Sequence, residues 1–127
     1  MGTADAAEIR KFDRLAARWW DPQGPMAPLH AMNPARIGWI AERIARANAR
    51  TPEALAGLAV LDVGCGAGLA AEALARRGAR VTGLDAAGEA LAVARVHAAA
   101  AGLAVEYREG TPEALRAAGA GGFDAVL

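Results

Sequence analysis

The chain has 127 residues, 14 basic and 14 acidic side chains and a 54% apolar content, the profile of a soluble globular domain. There is no basic run and the aromatic residues gather near the amino terminus, which leaves nucleic-acid binding without support, and no charge-free apolar stretch reaches the ~20 residues of a membrane-spanning helix. The first residues, Met1 to Glu8, carry two acids and no apolar core, which excludes a secretory leader and argues against a mitochondrial presequence; with a single cysteine, Cys65, and hence no intramolecular disulfide, a bacterial cytoplasmic setting is expected.

Ile9, Phe12, Leu15, Ala16 and Trp19 recur at helical spacing, so a first helix is predicted to pack one apolar stripe on the body of the protein. For Trp19 and Trp20 core packing is the ordinary role and a lid over a ligand is the alternative. Pro22, Gly24, Pro25 and Pro28 predict an irregular connection. Asn33 before Pro34 predicts a helix start, with the side chain capping the first amides and proline at the first helical position. Ile37, Ile40 and Ile44 then form its buried stripe, Arg36 sits in its first turn, and the helix ends near Asn48. Residues 1–50 are thus predicted to form a helical segment and residues 51–127 a ligand-binding domain.

From Leu58 strands and helices alternate. Ala59 to Val63, Arg80 to Leu84, Val105 to Arg108 and Phe123 to Leu127 read as strands, with helices near Leu69 to Arg77 and Gly88 to Ala101. Thr111-Pro112-Glu113 opens a short helix by cap and proline. Glu109 to Thr111, at the carboxyl end of the third strand, read equally as a border of a bound base or as a plain capping loop. The chain stops within an apolar strand, which would leave half of a doubly wound sheet uncovered, so an amino-terminal fragment of a longer protein is expected.

The run Val60-Leu61-Asp62-Val63-Gly64-Cys65-Gly66-Ala67-Gly68 joins the first strand to the helix at Leu69. Gly64 and Gly66 let the backbone turn tightly and approach a ligand, and the helix amides behind them favour a polar or anionic group. The glycine spacing departs from the G-x-G-x-x-G of dinucleotide sites. Asp62, two residues before the first glycine, is placed to bond the ligand or to order the loop by accepting from its amides. Asp85 ends the second strand, where a carboxylate accepts from both ribose hydroxyls and repels a 2′-phosphate. Together these features point to S-adenosylmethionine more than to NAD. Cys65 reads as a small filler, with no cationic neighbour to activate it. His97 reads as a surface or packing residue; His30 is the sole candidate base, and a weak one.

Val60 to Gly68 resembles the first motif of class I S-adenosylmethionine-dependent methyltransferases. Phe12 to Pro22 with its Trp19-Trp20 pair, then Gly24, Pro28-Leu29-His30 and Asn33-Pro34-Ala35-Arg36, is similar to the opening of the ubiquinone biosynthesis O-methyltransferases, and the similarity runs on through Val81 to Asp85 and the region of His97. The resemblance implies a Rossmann-like α/β fold, here a parallel-sheet half preceded by helices and cut in the fourth strand. It also implies cofactor contacts from Arg36, Gly64 and Asp85, Arg36 suiting a carboxylate. The implied reaction is O-methylation of polyprenylated phenol or catechol intermediates, at both O-methylation steps of the pathway. Any divalent metal would be held by acids and a histidine beyond Leu127, so no metal site is assigned within this chain, and the catalytic residues stay open. A lipidic substrate leaves room for peripheral contact with the inner membrane; oligomeric state is silent. The competing readings are a methyltransferase of another substrate class, an NAD-dependent oxidoreductase, or a fragment that binds cofactor without turning over.

Overall fold

The computed structural model describes residues 3–119 and 121–127, with the side chains of residues 3–6, 8 and 9 outside that description, Ile9 among them. Helices α1 (Thr3–Trp19) and α2 (Ala27–Ala47) precede β1 (Ala59–Val63), α3 (Leu69–Arg76), β2 (Arg80–Asp85), α4 (Gly88–Ala100), β3 (Glu106–Glu109), α5 (Pro112–Ala117) and β4 (Ala125–Val126). The strands are parallel and lie in the order β3-β2-β1-β4. β2 and β3 are thus added on one side of β1 before the chain returns to its other side.

Side chains of a strand alternate between faces, so each strand feeds two cores. Val60, Val81 and Tyr107 pack with Ile37, Ala41 and Ile44 of α2, Ala71 and Leu74 of α3, and Leu91 and Ala94 of α4. Their neighbours Leu61 and Leu84 turn to the opposite face and meet Leu115 of α5, with Val63 and Phe123 against them. Helix α1 lies along α4, burying Ala16 and half-burying Phe12, Leu15 and Trp19.

The second helix starts earlier than the Asn33-Pro34 signal predicts. It begins at Ala27, uses Pro28 in its first turn and carries Pro34 inside, so the irregular connection is shorter and Arg36 lies well within the helix. Proline is tolerated in a first turn because the amides there lack intrahelical partners. Pro34 forfeits one backbone bond, while Asn33 caps nothing and sends its Nδ2 3.3 Å across to the Leu69 carbonyl. The helix ends as expected, at a cap on Asn48.

The cap and proline before α5 act as predicted: Thr111 Oγ1 accepts from the Ala114 amide at 3.1 Å. The third strand is displaced one residue along the chain from its predicted span. In the fourth, Ala125 and Val126 form the strand, and its pairing extends to Asp124, whose amide donates to Ala59 O at 2.7 Å, and to Leu127, whose amide donates to Leu61 O at 2.9 Å.

Candidate functional site

The reversal of strand direction of travel falls between β1 and β4, and open α/β sheets hold ligands in the crevice at the carboxyl ends of their strands beside such a point. A cavity of about 460 Å³ opens there, lined by the loop from Asp62 to Ala67, by Asn33, Arg36 and Ile40 of α2, by Trp19, Met26 and Leu29, and by Leu127. A wider depression of about 960 Å³ lies at the other end of the strands, beside Ala59 and Arg80, away from the crevice.

The loop is pinned to β2. Gly64 and Cys65 both donate their amides to Leu84 O, at 2.7 and 3.0 Å, and Gly66 donates to Asp85 Oδ2 at 2.9 Å. Asp85 Oδ1 accepts from Ala87 at 2.8 Å, so one carboxylate ties the glycine loop to the turn that begins α4. The loop-ordering role offered for Asp62 therefore belongs to Asp85. The register explains it: Asp62 pairs with Gly83 inside the sheet, whereas Asp85 ends β2 one residue beyond the pair Val63 and Leu84.

Asp62 instead lies buried, 6% exposed, with Oδ2 lacking any hydrogen-bond partner among the described residues. Burial pushes its carboxyl up from 3.8 to about 6, partly opposed by the Arg36 guanidinium and assisted by the Asp85 charge. Arg36 borders the same cavity and pairs with no acid among the described residues. A buried carboxylate short of a donor and an exposed guanidinium without an acidic partner thus line one cavity, the complement of a zwitterionic amino-acid group.

Cys65 is buried, and burial, followed by the charges of Asp62 and Asp85, pushes its thiol up to about 12. Such a thiol is almost wholly protonated near pH 8. Native protein is expected to leave Cys65 unmodified by a disulfide reagent such as DTNB over an hour at that pH, with rapid stoichiometric reaction after denaturation; fast native labelling would contradict the burial.

Trp19 and Trp20 are half-buried, and they serve different neighbours. Trp19 lines the cavity, while Trp20 donates its indole N–H to the Ala67 carbonyl at 3.1 Å and stacks on His97. His97 is half-buried on α4, its Nδ1 2.6 Å from Oε2 of the buried Glu72. His30 places Nε2 3.0 Å from the Trp19 carbonyl. A carbonyl only accepts, so that nitrogen carries the proton, and the lone pair of a neutral imidazole then lies on Nδ1. Glu109 and Gly110 remain beside Asp85, Gly110 donating to Asp85 O at 3.0 Å. Among the described residues no three His, Cys, Asp or Glu side chains are grouped to hold a metal ion.

Sequence reasoning passed over Asn33 as a bridge, Glu72 and Tyr107. Glu72 had one legible signal, an acid between the apolar residues of an otherwise buried helix face; Asn33 and Tyr107 had none beyond their polarity.

Residues 60–127 match the family model described as a methyltransferase domain. The ubiquinone biosynthesis O-methyltransferase of Dinoroseobacter shibae is 51% identical over 98% of this chain and 51% of its own length. The protein of that name from Azorhizobium caulinodans is 49% identical over 98% of this chain and 50% of its own. The chain therefore spans about half the length of the curated relatives it matches. Among solved structures, the N-terminal domain of EvdMO1 with SAH bound superposes with a TM-score of 0.56 at 31% identity, over 72% of this chain and 37% of that one.

Proposed function

The chain belongs to the methyltransferase-domain family, and from that premise we propose that it carries the cofactor cradle of an S-adenosylmethionine-dependent O-methyltransferase acting on polyprenylated phenols and catechols of ubiquinone biosynthesis. Its four parallel strands are part of the Rossmann-like class I methyltransferase fold. The observation that carries the cofactor reading is the orphaned Asp62 carboxylate beside Arg36 in a cavity under the glycine loop.

The residues fit that cofactor. A cavity of about 460 Å³ lies within the ~300–1,000 Å³ of small-molecule sites. Arg36 would take the methionine carboxylate and Asp62 the ammonium, while the Gly64 and Gly66 backbone borders the same space. Asp85 has an amide on each oxygen, and each oxygen keeps a second lone pair for a ribose hydroxyl. When bound, the cofactor supplies an activated methyl group with its own leaving group. The chain supplies alignment, a contribution that reaches ~7–11 kcal/mol in well-oriented systems. The phenol proton must also leave.

The substrate class rests on the names of the relatives, whose similarity covers 98% of this chain and so includes its amino-terminal helices. The apolar wall of Trp19, Met26 and Leu29 suits a lipidic acceptor. Among the described residues no helix is long and apolar enough to cross a membrane; such a substrate would be met by peripheral contact with the inner membrane from the bacterial cytoplasm.

The test is methyl transfer from S-adenosylmethionine to a short-chain prenyl catechol by the full-length protein, with S-adenosylhomocysteine binding followed by calorimetry from pH 5 to 8. Asp62 binds its proton more tightly folded than unfolded, so it costs stability as pH rises from about 4 to about 6. A bound ammonium favours the ionised form. Affinity is therefore expected to be full above pH 6 and to fall up to about tenfold per pH unit below it, and Asp62→Asn is expected to remove that slope. A flat wild-type profile would overturn the ammonium assignment, and absence of transfer to any prenyl catechol would overturn the substrate class.

A further inference from the structure

We propose that Trp20 is a positioning residue, a clamp that holds the glycine loop in its ligand-ready shape, and that half-buried His97, paired with buried Glu72, acts through it; the cofactor consequence rests on the proposed cofactor reading. The contacts form a closed circuit that begins and ends on the loop. Trp20 follows α1 and donates Nε1–H to the carbonyl of Ala67, 3.1 Å away. Its ring lies face to face on the His97 imidazole of α4, with centroids 3.6 Å apart and planes within 3°. His97 Nδ1 is 2.6 Å from Glu72 Oε2. Glu72 stands in α3, and its own amide donates to Gly68 O at 2.8 Å, back on the loop. His30 closes the remaining side, edge-on to Trp20 at 6.0 Å.

Simple packing does not account for this arrangement. Glu72 is 1% exposed, and its Oε1 has no hydrogen-bond partner among the described residues, with Arg76 Nη2 at 3.8 Å. A polar group buried this deeply with one oxygen unpartnered costs stability that an apolar residue would save. What the pair gains is a fixed imidazole plane, and that plane orients the indole. The segment it restrains is the one least able to restrain itself, since Ala67 sits between two glycines in the left-handed region, Gly66 at φ +55° and Gly68 at +93°. Ordering such a loop before the ligand arrives lowers the entropy lost on binding.

Two variants of the full-length protein test the clamp. Trp20→Phe keeps an aromatic ring for the stack and removes the N–H; His97→Asn keeps a donor for Glu72 and removes the ring. Hydrogen exchange is followed at residues 64–68 and at the β1 and β2 amides, with S-adenosylhomocysteine affinity and melting temperature alongside. Both variants are expected to raise exchange at least fivefold in the loop alone and to weaken binding about tenfold, and the double variant is expected to add little to Trp20→Phe. Unchanged loop exchange, or an equal rise in loop and strands, overturns the clamp. Faster loop exchange with unchanged affinity overturns its positioning role. If the wild type fails to bind S-adenosylhomocysteine while Trp20→Phe still loosens the loop alone, the clamp stands and the cofactor reading is the one that fails.

Discussion

Replacing Asp85 with alanine is expected to weaken S-adenosylhomocysteine binding by at least tenfold, measured by calorimetry at pH 7.5. The carboxylate does two jobs at once. It holds the loop through Gly66 at 2.9 Å and the start of α4 through Ala87 at 2.8 Å, and under the proposed function it also takes the ribose hydroxyls. Charge-assisted bonds are worth roughly 1.5–3 kcal/mol each, and about 1.4 kcal/mol is already tenfold. Alanine loses every one of them, and the freed loop must then be ordered at the expense of binding. Asp85→Asn, which keeps one acceptor oxygen, is expected to fall between the two. An alanine variant that binds as the wild type does would sink the ribose assignment, whatever happens to its melting temperature.

Gly68→Ala is expected to lower the melting temperature by about 10 °C or more, for reasons of backbone and of space together. At φ +93° an L side chain is strained, at about 1–2 kcal/mol. The new Cβ would also run into the Tyr107 hydroxyl, 3.2 Å from its Cζ and 3.4 Å from Ala94 Cβ, and overpacking of this kind costs typically ~1–3 kcal/mol. Tyr107 cannot easily withdraw, because it is 7% exposed and packed in the core. Its hydroxyl is buried without a partner among the described residues, and burial, reinforced by the Glu72 charge, raises the phenol well above its ordinary value. Tyr107→Phe removes the nearest obstacle, so Gly68→Ala/Tyr107→Phe is expected to regain part of the loss while the backbone strain remains. A Gly68→Ala protein that melts like its parent would show that the loop does not rest on Tyr107.

Much of the fold is written in short-range signals. The span Ala59–Val63, the glycine run, the helix from Leu69 and the helix from Gly88 appear where periodicity and punctuation put them. The family was legible for the same reason, since the glycine run and the paired tryptophans are contiguous strings. Where two local signals competed, the reading failed: Pro28 and Pro34 each suit a helix start, and only the packing of α2, with Asn33 reaching Leu69 at 3.3 Å, decides for the earlier one.

By itself the sequence determined the alternation of strand and helix, the turn at the glycines and the presence of one acid within the first strand and another at the end of the second, because backbone torsion and apolar period are settled within a few residues. The tertiary structure alone decided which of those acids serves the loop and which is left unpaired: strand register carries Asp85 onto the Gly66 amide and buries Asp62 opposite Gly83. It also set Arg36 beside Asp62, and Trp20 between Ala67 and His97. Those partners lie far apart along the chain, and only the packing of α1 and α2 against the sheet and its helices brings Trp20 within bonding distance of the Ala67 carbonyl and Arg36 near enough to act on the Asp62 charge without pairing with it, where the burial of Asp62 makes the identity of its neighbours matter.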